Sequence, residues 1–314
     1  MGQTHEASSN SGRMLSIIVI VYNMQRESPR TLRSLQEEYQ EGVSAKDYEV
    51  IVIENGSAKP LQENDVCSNG TNFSYYRLNN PPPSPAYAIN FGVGKAKGDI
   101  VCVMIDGACI LTPGVLRMAL KAFSAFPNPI VMTRYFFLGP GRQNITIGQG
   151  YNQQVEDKLL EKIGWPKDGY RLFEIGVPLP RPNSDITPDE YRVIWFARLF
   201  ESNCIFFKKE TFIRFGGCNE KFDLPGGGFL NLDMFREAAR LEDTEVVQLI
   251  GEAVFHQVHG GTTTNIPMEE KRLEIERYNK QYKEIRKEDY AVPQKRIYLL
   301  GSASSPCAFK NSQC

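Results

Sequence analysis

No CxxC pair and no regular cysteine spacing occurs among the seven cysteines of this 314-residue chain. An odd count at scattered positions argues against a disulfide framework and for reduced thiols in a cytosolic protein. No apolar run approaches roughly 18 residues, the length that reads as a membrane-spanning helix, and the opening MGQTHEASSNSGRM has no apolar core of a signal peptide. These absences predict a cytoplasmic protein with no transmembrane segment. Glu6 stands where a Met-Gly myristoylation signal carries Ser or Thr, which removes that anchor from the expectations. Net charge is missing too. Lys and Arg total 36 against 37 Asp and Glu, so no basic field draws in nucleic acid or an anionic membrane, and an anionic ligand must be held locally. Internal repeats and low-complexity tracts are absent. A hydrophobic content of 41% and a charged content of 23% are ordinary for globular chains. The length suits one large α/β domain or two fused lobes on a shared core.

What is present begins at Leu15. Ile17 to Val21 is a β-branched run without polar alternation, the pattern of a parallel strand buried on both faces. Ser28 and Pro29 suit a helix start, with Leu32, Leu35 and Tyr39 following at helical spacing. Tyr48 to Ile53 predicts a second buried strand, Phe73 to Leu78 a weaker third, Ala86 to Lys97 a helix and Ile100 to Ile105 a fourth strand. This alternation builds a parallel sheet with right-handed crossovers, and such sheets bind ligands beyond the carboxyl ends of their strands. Tyr22, Asn23, Glu54, Asn55 and Asp106, just past those ends, are therefore the first candidates for ligand contact. Residues 133–200 are rich in glycine and proline and predict a loop-rich lobe. A strand at Ile205 to Phe207, a short helix before Gly216-Gly217, a helix from Asn231 to Arg240 and an amphipathic helix within Pro267 to Tyr290 follow. The segment GSASSPCAFKNSQC is expected to be loose.

Gly92, Gly94 and Gly98 do not make a dinucleotide fingerprint, because their spacing is GxGxxxG and they precede a strand instead of following one. Five other blocks, in order, resemble the family 2 glycosyltransferases: LSIIVIVYN, EVIVIENGS, NFGVGKAKGDIVCVMIDGA, FGGCNEKF and FHQVHGGTT. The resemblance spans residues 15 to 265. It implies the glycosyltransferase-A fold, a twisted, mostly parallel α/β sheet flanked by helices with a loop-rich acceptor lobe. Residues 14–130 would form the nucleotide-sugar half, 131–265 the acceptor half, and 266–314 a C-terminal helix and tail. It also implies transfer of a sugar, with inversion, from a nucleotide-sugar donor, UDP or GDP linked, to a glycan, lipid-linked saccharide or other hydroxyl acceptor.

By matching position, Val21, Tyr22, Asn23, Glu54, Asn55, Asp106 and Gly107 would contact the nucleotide, with Tyr22, Glu54 and Asn55 at base and ribose. Asp106 stands as the first acid of the family's DxD motif, where a carboxylate holds Mg²⁺ or Mn²⁺ against the donor pyrophosphate. The second acid is missing, since the motif reads Asp106-Gly107-Ala108. His256 and His259 fall where the family places a late metal-binding histidine, and imidazole suits Mn²⁺ better than Mg²⁺. An isolated strand-end acid also serves as a turn cap, and two histidines in a glycine-rich loop also serve as packing groups. The family's Glu-Asp pair, which supplies the base that an inverting transfer needs, falls on Leu230-Asn231. Asp233 and Asp223 remain as nearby carboxylates, Asp233 equally able to cap a helix, and Asn231 as a partner for an acceptor hydroxyl. Two rivals stand beside this reading. One is a degenerate, non-catalytic nucleotide or sugar binder. The other is a nucleotidyltransferase, which would need a basic glycine-rich loop where YNMQRESPR stands.

Overall fold

Aliphatic residues in unbroken succession leave a strand no face for solvent, and Leu15–Val21 is buried at every position. A computed structural model of the chain describes residues 14–178 and 194–301. The first half alternates as the sequence predicts: β1 (Leu15–Val21), α1 (Ser28–Arg33), β2 (Tyr48–Glu54), α2 (Glu63–Cys67), β3 (Phe73–Arg77), α3 (Ala86–Lys95) and β4 (Ile100–Met104). Then come β5 (Cys109–Leu111), α4 (Val115–Ala125), β6 (Pro129–Leu138), α5 (Gln143–Thr146), α6 (Gln153–Lys162) and β7 (Gly176–Pro178). The remainder is β8 (Ile205–Lys208), α7 (Lys209–Arg214), α8 (Leu230–Arg240), β9 (Glu245–His256), α9 (Met268–Arg286) and β10 (Ile297–Gly301).

One sheet takes all ten strands, its main row ordered β10-β9-β6-β8-β4-β1-β2-β3, with β5 on β9 and β7 on β6. β1 pairs in parallel with β2 and β4, and β9 in parallel with β6 and β10. β8 is antiparallel to both of its neighbours, β4 and β6. Consequently the carboxyl ends of β1, β2, β4, β6 and β9 and the amino end of β8 come to the same edge. This is the architecture of the glycosyltransferase-A class.

Successive strand residues point to opposite faces, so each face of the sheet has its own core. Ile17, Val19 and Val21 pack with Val50, Val52, Leu32, Leu35 and Phe123 on one side. Ile18 and Ile20 pack with Ile51, Ile53, Ile89, Phe235 and Tyr282 on the other. Each fully buried aliphatic or aromatic side chain contributes about 1.5–3 kcal/mol.

Several sequence expectations change. The helix after β1 is only six residues long and begins at Ser28, with Glu27 at the cap position. Leu35 and Tyr39 are still buried but lie on the turns that follow. Residues 133–200 are less irregular than expected, because β6 runs to Leu138 and α6 occupies Gln153–Lys162. One reading stands unchanged, that Trp165 and Trp195 are packing groups: the Trp165 indole donates to the Tyr39 hydroxyl at 3.3 Å, and Trp195 lies against Phe136 and Phe173. The expectations for residues 1–13 and 302–314 and for most of the proline-rich stretch lie outside the described residues.

Candidate active site

The shared strand edge frames a cavity of about 780 Å³. Asp106 lies two residues beyond β4, His256 is the last residue of β9, and residues 199–203 lead into β8. The antiparallel course of β8 is what brings its entry segment beside Asp106, since Val103 is paired with Ile205.

Asp106, His256 and His259 meet on the cavity wall. Asp106 Oδ1 accepts from the Ala108 amide at 2.8 Å, which leaves Oδ2 facing His256 Nε2 at 3.0 Å and His259 Nε2 at 3.2 Å. The two Nε2 atoms are 3.0 Å apart. Gln143 settles what these atoms are. Its amide nitrogen donates to the His256 carbonyl at 3.0 Å, so its carbonyl Oε1 is the atom that meets Asn265 Nδ2 and His256 Nδ1, each at 2.9 Å. His256 therefore carries its proton on Nδ1, and its Nε2 turns a lone pair toward a carboxylate oxygen. Lone pairs at this separation repel unless a proton on His259 Nε2 or a metal ion lies among them. The triangle of donor atoms, with sides of 3.0–3.2 Å, is small enough for one ion to touch all three. An outer hydrogen bond that fixes the ring tautomer is the usual support of a metal-bound histidine. The residues thus fit a divalent cation.

Burial pushes the Asp106 carboxyl up, but His259 and His256 more than reverse this and hold it well below the ordinary range. Burial lowers His256 further than Asp106 can raise it, whereas at His259 Asp106 outweighs burial and the net direction is upward. The loop carrying His259 is fixed by Asn265 Oδ1, which accepts from the amides of His259, Gly260 and Gly261 at 3.0, 2.9 and 3.1 Å.

On the nucleotide side, Tyr22, Asn23 and Asn55 line the cavity. Tyr22 is 55% exposed, a ring with an open face. Asn23, at φ 54°, ties the two strand ends together: its amide donates to Ser57 Oγ at 2.7 Å and its Oδ1 accepts from the Ala58 amide at 3.0 Å. Asn55 Oδ1 is buried without a partner. Val21, Glu54 and Gly107 are corrections, since none of them reaches the cavity wall. Val21 is a core residue of β1. The Glu54 carboxylate is taken up by the Ser57 hydroxyl and by the Leu61 amide at 2.9 Å, so it shapes the turn after β2. Gly107 lies against β1, where a side chain would come within 2.8 Å of the Ile20 carbonyl.

On the acceptor side, Asn231 lines the cavity and the two candidate acids do not. Asp233 is buried and turned toward α9, where Arg286 grips it at 2.7 and 2.6 Å. Asp223 accepts from Gln281 at 2.8 Å, away from the cavity. Sequence reasoning passed over Glu201, Asn203, Arg142, Asn144 and Lys271, all of which line the cavity. Gly226, at φ +73°, lets this loop close onto the histidine loop, because a Cβ there would lie 2.6 Å from Thr262 Oγ1.

Fold and site together define a glycosyltransferase of the A type. A family model described as "Glycosyl transferase family 2" matches residues 16–174, which is 159 of the 314 residues, and the chain belongs to that family. No curated protein matches. Among solved structures, S. aureus TarS 1-349 in complex with UDP-GlcNAc is similar at a TM-score of 0.50 and 13% identity, over 86% of this chain and 73% of that one. The crystal structure of S. aureus TarS gives 0.48 and 14%, over 78% of this chain and 37% of that one. The complex of TarS 1-349 with UDP gives 0.49 and 14%, over 78% of this chain and 60% of that one. The chain thus spans between about a third and three quarters of these proteins, and the likeness is one of fold.

Proposed function

We propose that the protein transfers a sugar from a UDP-linked donor to a hydroxyl of a saccharide-type acceptor, with inversion at the anomeric carbon and with the help of Mn²⁺. The observation that carries this reading is the convergence of Asp106 Oδ2, His256 Nε2 and His259 Nε2 at the wall of a cavity that also holds Tyr22 and Asn55. The choice of UDP follows the ligands of TarS. The unpartnered Asn55 Oδ1 suits the N3–H of a uracil ring.

A divalent cation on this triad would offset the negative charge that the diphosphate gains as the glycosidic bond breaks. The two imidazoles replace the missing second acid, so the site holds one carboxylate charge where the family pattern has two. Lys271 and Arg142 stand on the same cavity wall and add positive charge near the leaving group. Tyr22 offers a face for the base, and Asn231 an amide for an acceptor hydroxyl. A non-catalytic nucleotide-sugar binder is the second reading, favoured by Leu230-Asn231 standing where the family carries two carboxylates.

Turnover separates the two. The protein is incubated with UDP-GlcNAc, UDP-glucose, UDP-galactose or GDP-mannose and Mn²⁺, and free nucleoside diphosphate is measured. The transferase reading expects release from a UDP sugar that stops when the metal is chelated. Binding without release from any of the four contradicts it.

A further inference from the structure

Inverting transfer needs a base, and the residues at the family's acid position cannot supply one. Leu230 is apolar and fully buried, and Asn231 carries an amide. Asp233 is spent on Arg286, and Asp223 lies outside. Among the described residues that line the cavity, two carry carboxylates, Asp106 and Glu201. Asp106 is committed to the two histidines.

Glu201 belongs to a segment pinned on both sides. The Leu199 amide donates to Gln248 Oε1 at 3.0 Å, and Ser202 Oγ donates to the Thr133 carbonyl at 3.0 Å while accepting from the Thr133 amide at 3.1 Å. The sequence between β6 and β8 is thereby held so that Glu201 faces the cavity, beside Asn231 and within the field of Lys271. Asn231 lies on the same wall, with its Nδ2 donating to Asn203 Oδ1 at 3.5 Å. Its own Oδ1 is buried without a partner, and the residue is 9% exposed. A carboxylate on the cavity wall beside an amide-bearing side chain is an arrangement that can receive a hydroxyl group: the carboxylate is an acceptor, and the hydroxyl is the missing donor.

We propose that Glu201 is the general base of the transfer, placed on the β8 entry segment in compensation for the lost Glu-Asp pair. The inference rests on the transferase reading above. In the step, the acceptor oxygen forms a bond to the anomeric carbon as the bond from that carbon to the β-phosphate oxygen breaks. The bonding pair leaves on the diphosphate, the hydroxyl proton passes to a Glu201 oxygen, and Glu201 later returns it to solvent. The charge environment suits the task. Burial pushes the Glu201 carboxyl above its ordinary range, and Lys271 and Asn231 pull it only part of the way back, which makes the carboxylate more basic than one in water.

The test uses the full chain with Mn²⁺ and a UDP sugar, water serving as the acceptor, and compares wild type, Glu201→Gln, Glu201→Asp and Asp223→Asn. UDP affinity is measured separately for each by calorimetry. The expected result is a fall in turnover of about 10²- to 10⁴-fold in Glu201→Gln, with UDP affinity unchanged, partial recovery in Glu201→Asp, and wild-type turnover in Asp223→Asn. Turnover of Glu201→Gln within about threefold of wild type overturns the base assignment and leaves the transferase reading standing. Parallel loss of UDP affinity and turnover in both Glu201 variants also overturns it, because the carboxylate would then belong to the donor site. A wild type that binds UDP and turns over no donor removes both the reading and the base.

Discussion

Gln143 governs the chemistry of the candidate site without being one of its ligands. Its amide is oriented by carbonyl acceptors on one side, so its oxygen must take the His256 Nδ1 proton and leave Nε2 as a donor to a cation. Outer partners of this kind typically carry 10- to 100-fold of metal affinity. Gln143→Ala is therefore expected to weaken Mn²⁺ binding by roughly that factor, read by calorimetry, with Asp106 and both histidines still in place. Unchanged affinity would detach Gln143 from the site. At this scale the sequence was informative where a residue follows a strand end, as at Tyr22, Asn55, Asp106 and His256. It was silent at Gln143 and Glu201, whose chemical types are common in loops and whose meaning comes only from what they face. At Asp233 and Glu54 the structure shows partners the sequence did not suggest. Each is a carboxylate at a plausible position, but its partner, Arg286 or the Ser57 turn, lies on a different part of the backbone. No spacing rule finds such partners.

Elements show the same division. β1, β2 and β4 were legible because they are buried on both faces and contain little but aliphatic residues. β9 was passed over because Gln248, Gly251 and Glu252 interrupt its apolar run. The structure accommodates both polar side chains inside: Gln248 bonds the backbone of Trp195, Ala197 and Leu199, and Glu252 bonds Thr112, Tyr170 and the Gly114 amide. A buried polar group costs little once it is satisfied, so apolar periodicity misses such strands. The short α6 has a comparable role. Its Glu156 accepts from Arg26 at 3.2 Å, from Tyr151 at 2.9 Å and from the Val258 amide at 2.9 Å, fixing the loop between His256 and His259 to the turn after β1. Burial pushes this carboxyl up to about 7 against the opposing pull of the Val258 amide and Arg26. A folded value above the ordinary 4.5 means that the folded state holds the proton more tightly. The stability this contributes is fully present below 4.5 and is lost as pH rises through about 7. Glu156→Gln removes the dependence. Denaturant unfolding at acid and neutral pH is expected to show wild type losing stability relative to that variant as pH rises, and parallel curves would contradict the assignment.

For the whole molecule, the mostly parallel sheet offers an anionic ligand the edge where five strand ends and the start of β8 converge. Net charge near zero means that nothing but local groups can hold a diphosphate there. The candidate groups at that edge are Asp106, His256 and His259, which could hold a cation, together with Lys271 and Arg142. Among the described residues no helix is long and apolar enough to cross a membrane. The fold class was legible from the strand–helix alternation and the ordered blocks of resemblance. The acceptor wall was not, because it is assembled from α8, α9 and the β8 entry segment, which are far apart in sequence and meet only when β8 inserts against β4. The account requires that nucleotide and metal bind as one unit at this edge. The most direct test is the thermal unfolding of the purified chain with UDP alone, Mn²⁺ alone and both together. Saturation near a hundredfold excess over Kd is worth about 2.7 kcal/mol, so the account predicts a clear rise with both ligands that exceeds the sum of the two separate rises and disappears in Asp106→Ala. An identical UDP response with and without Mn²⁺, unchanged by that substitution, would contradict it.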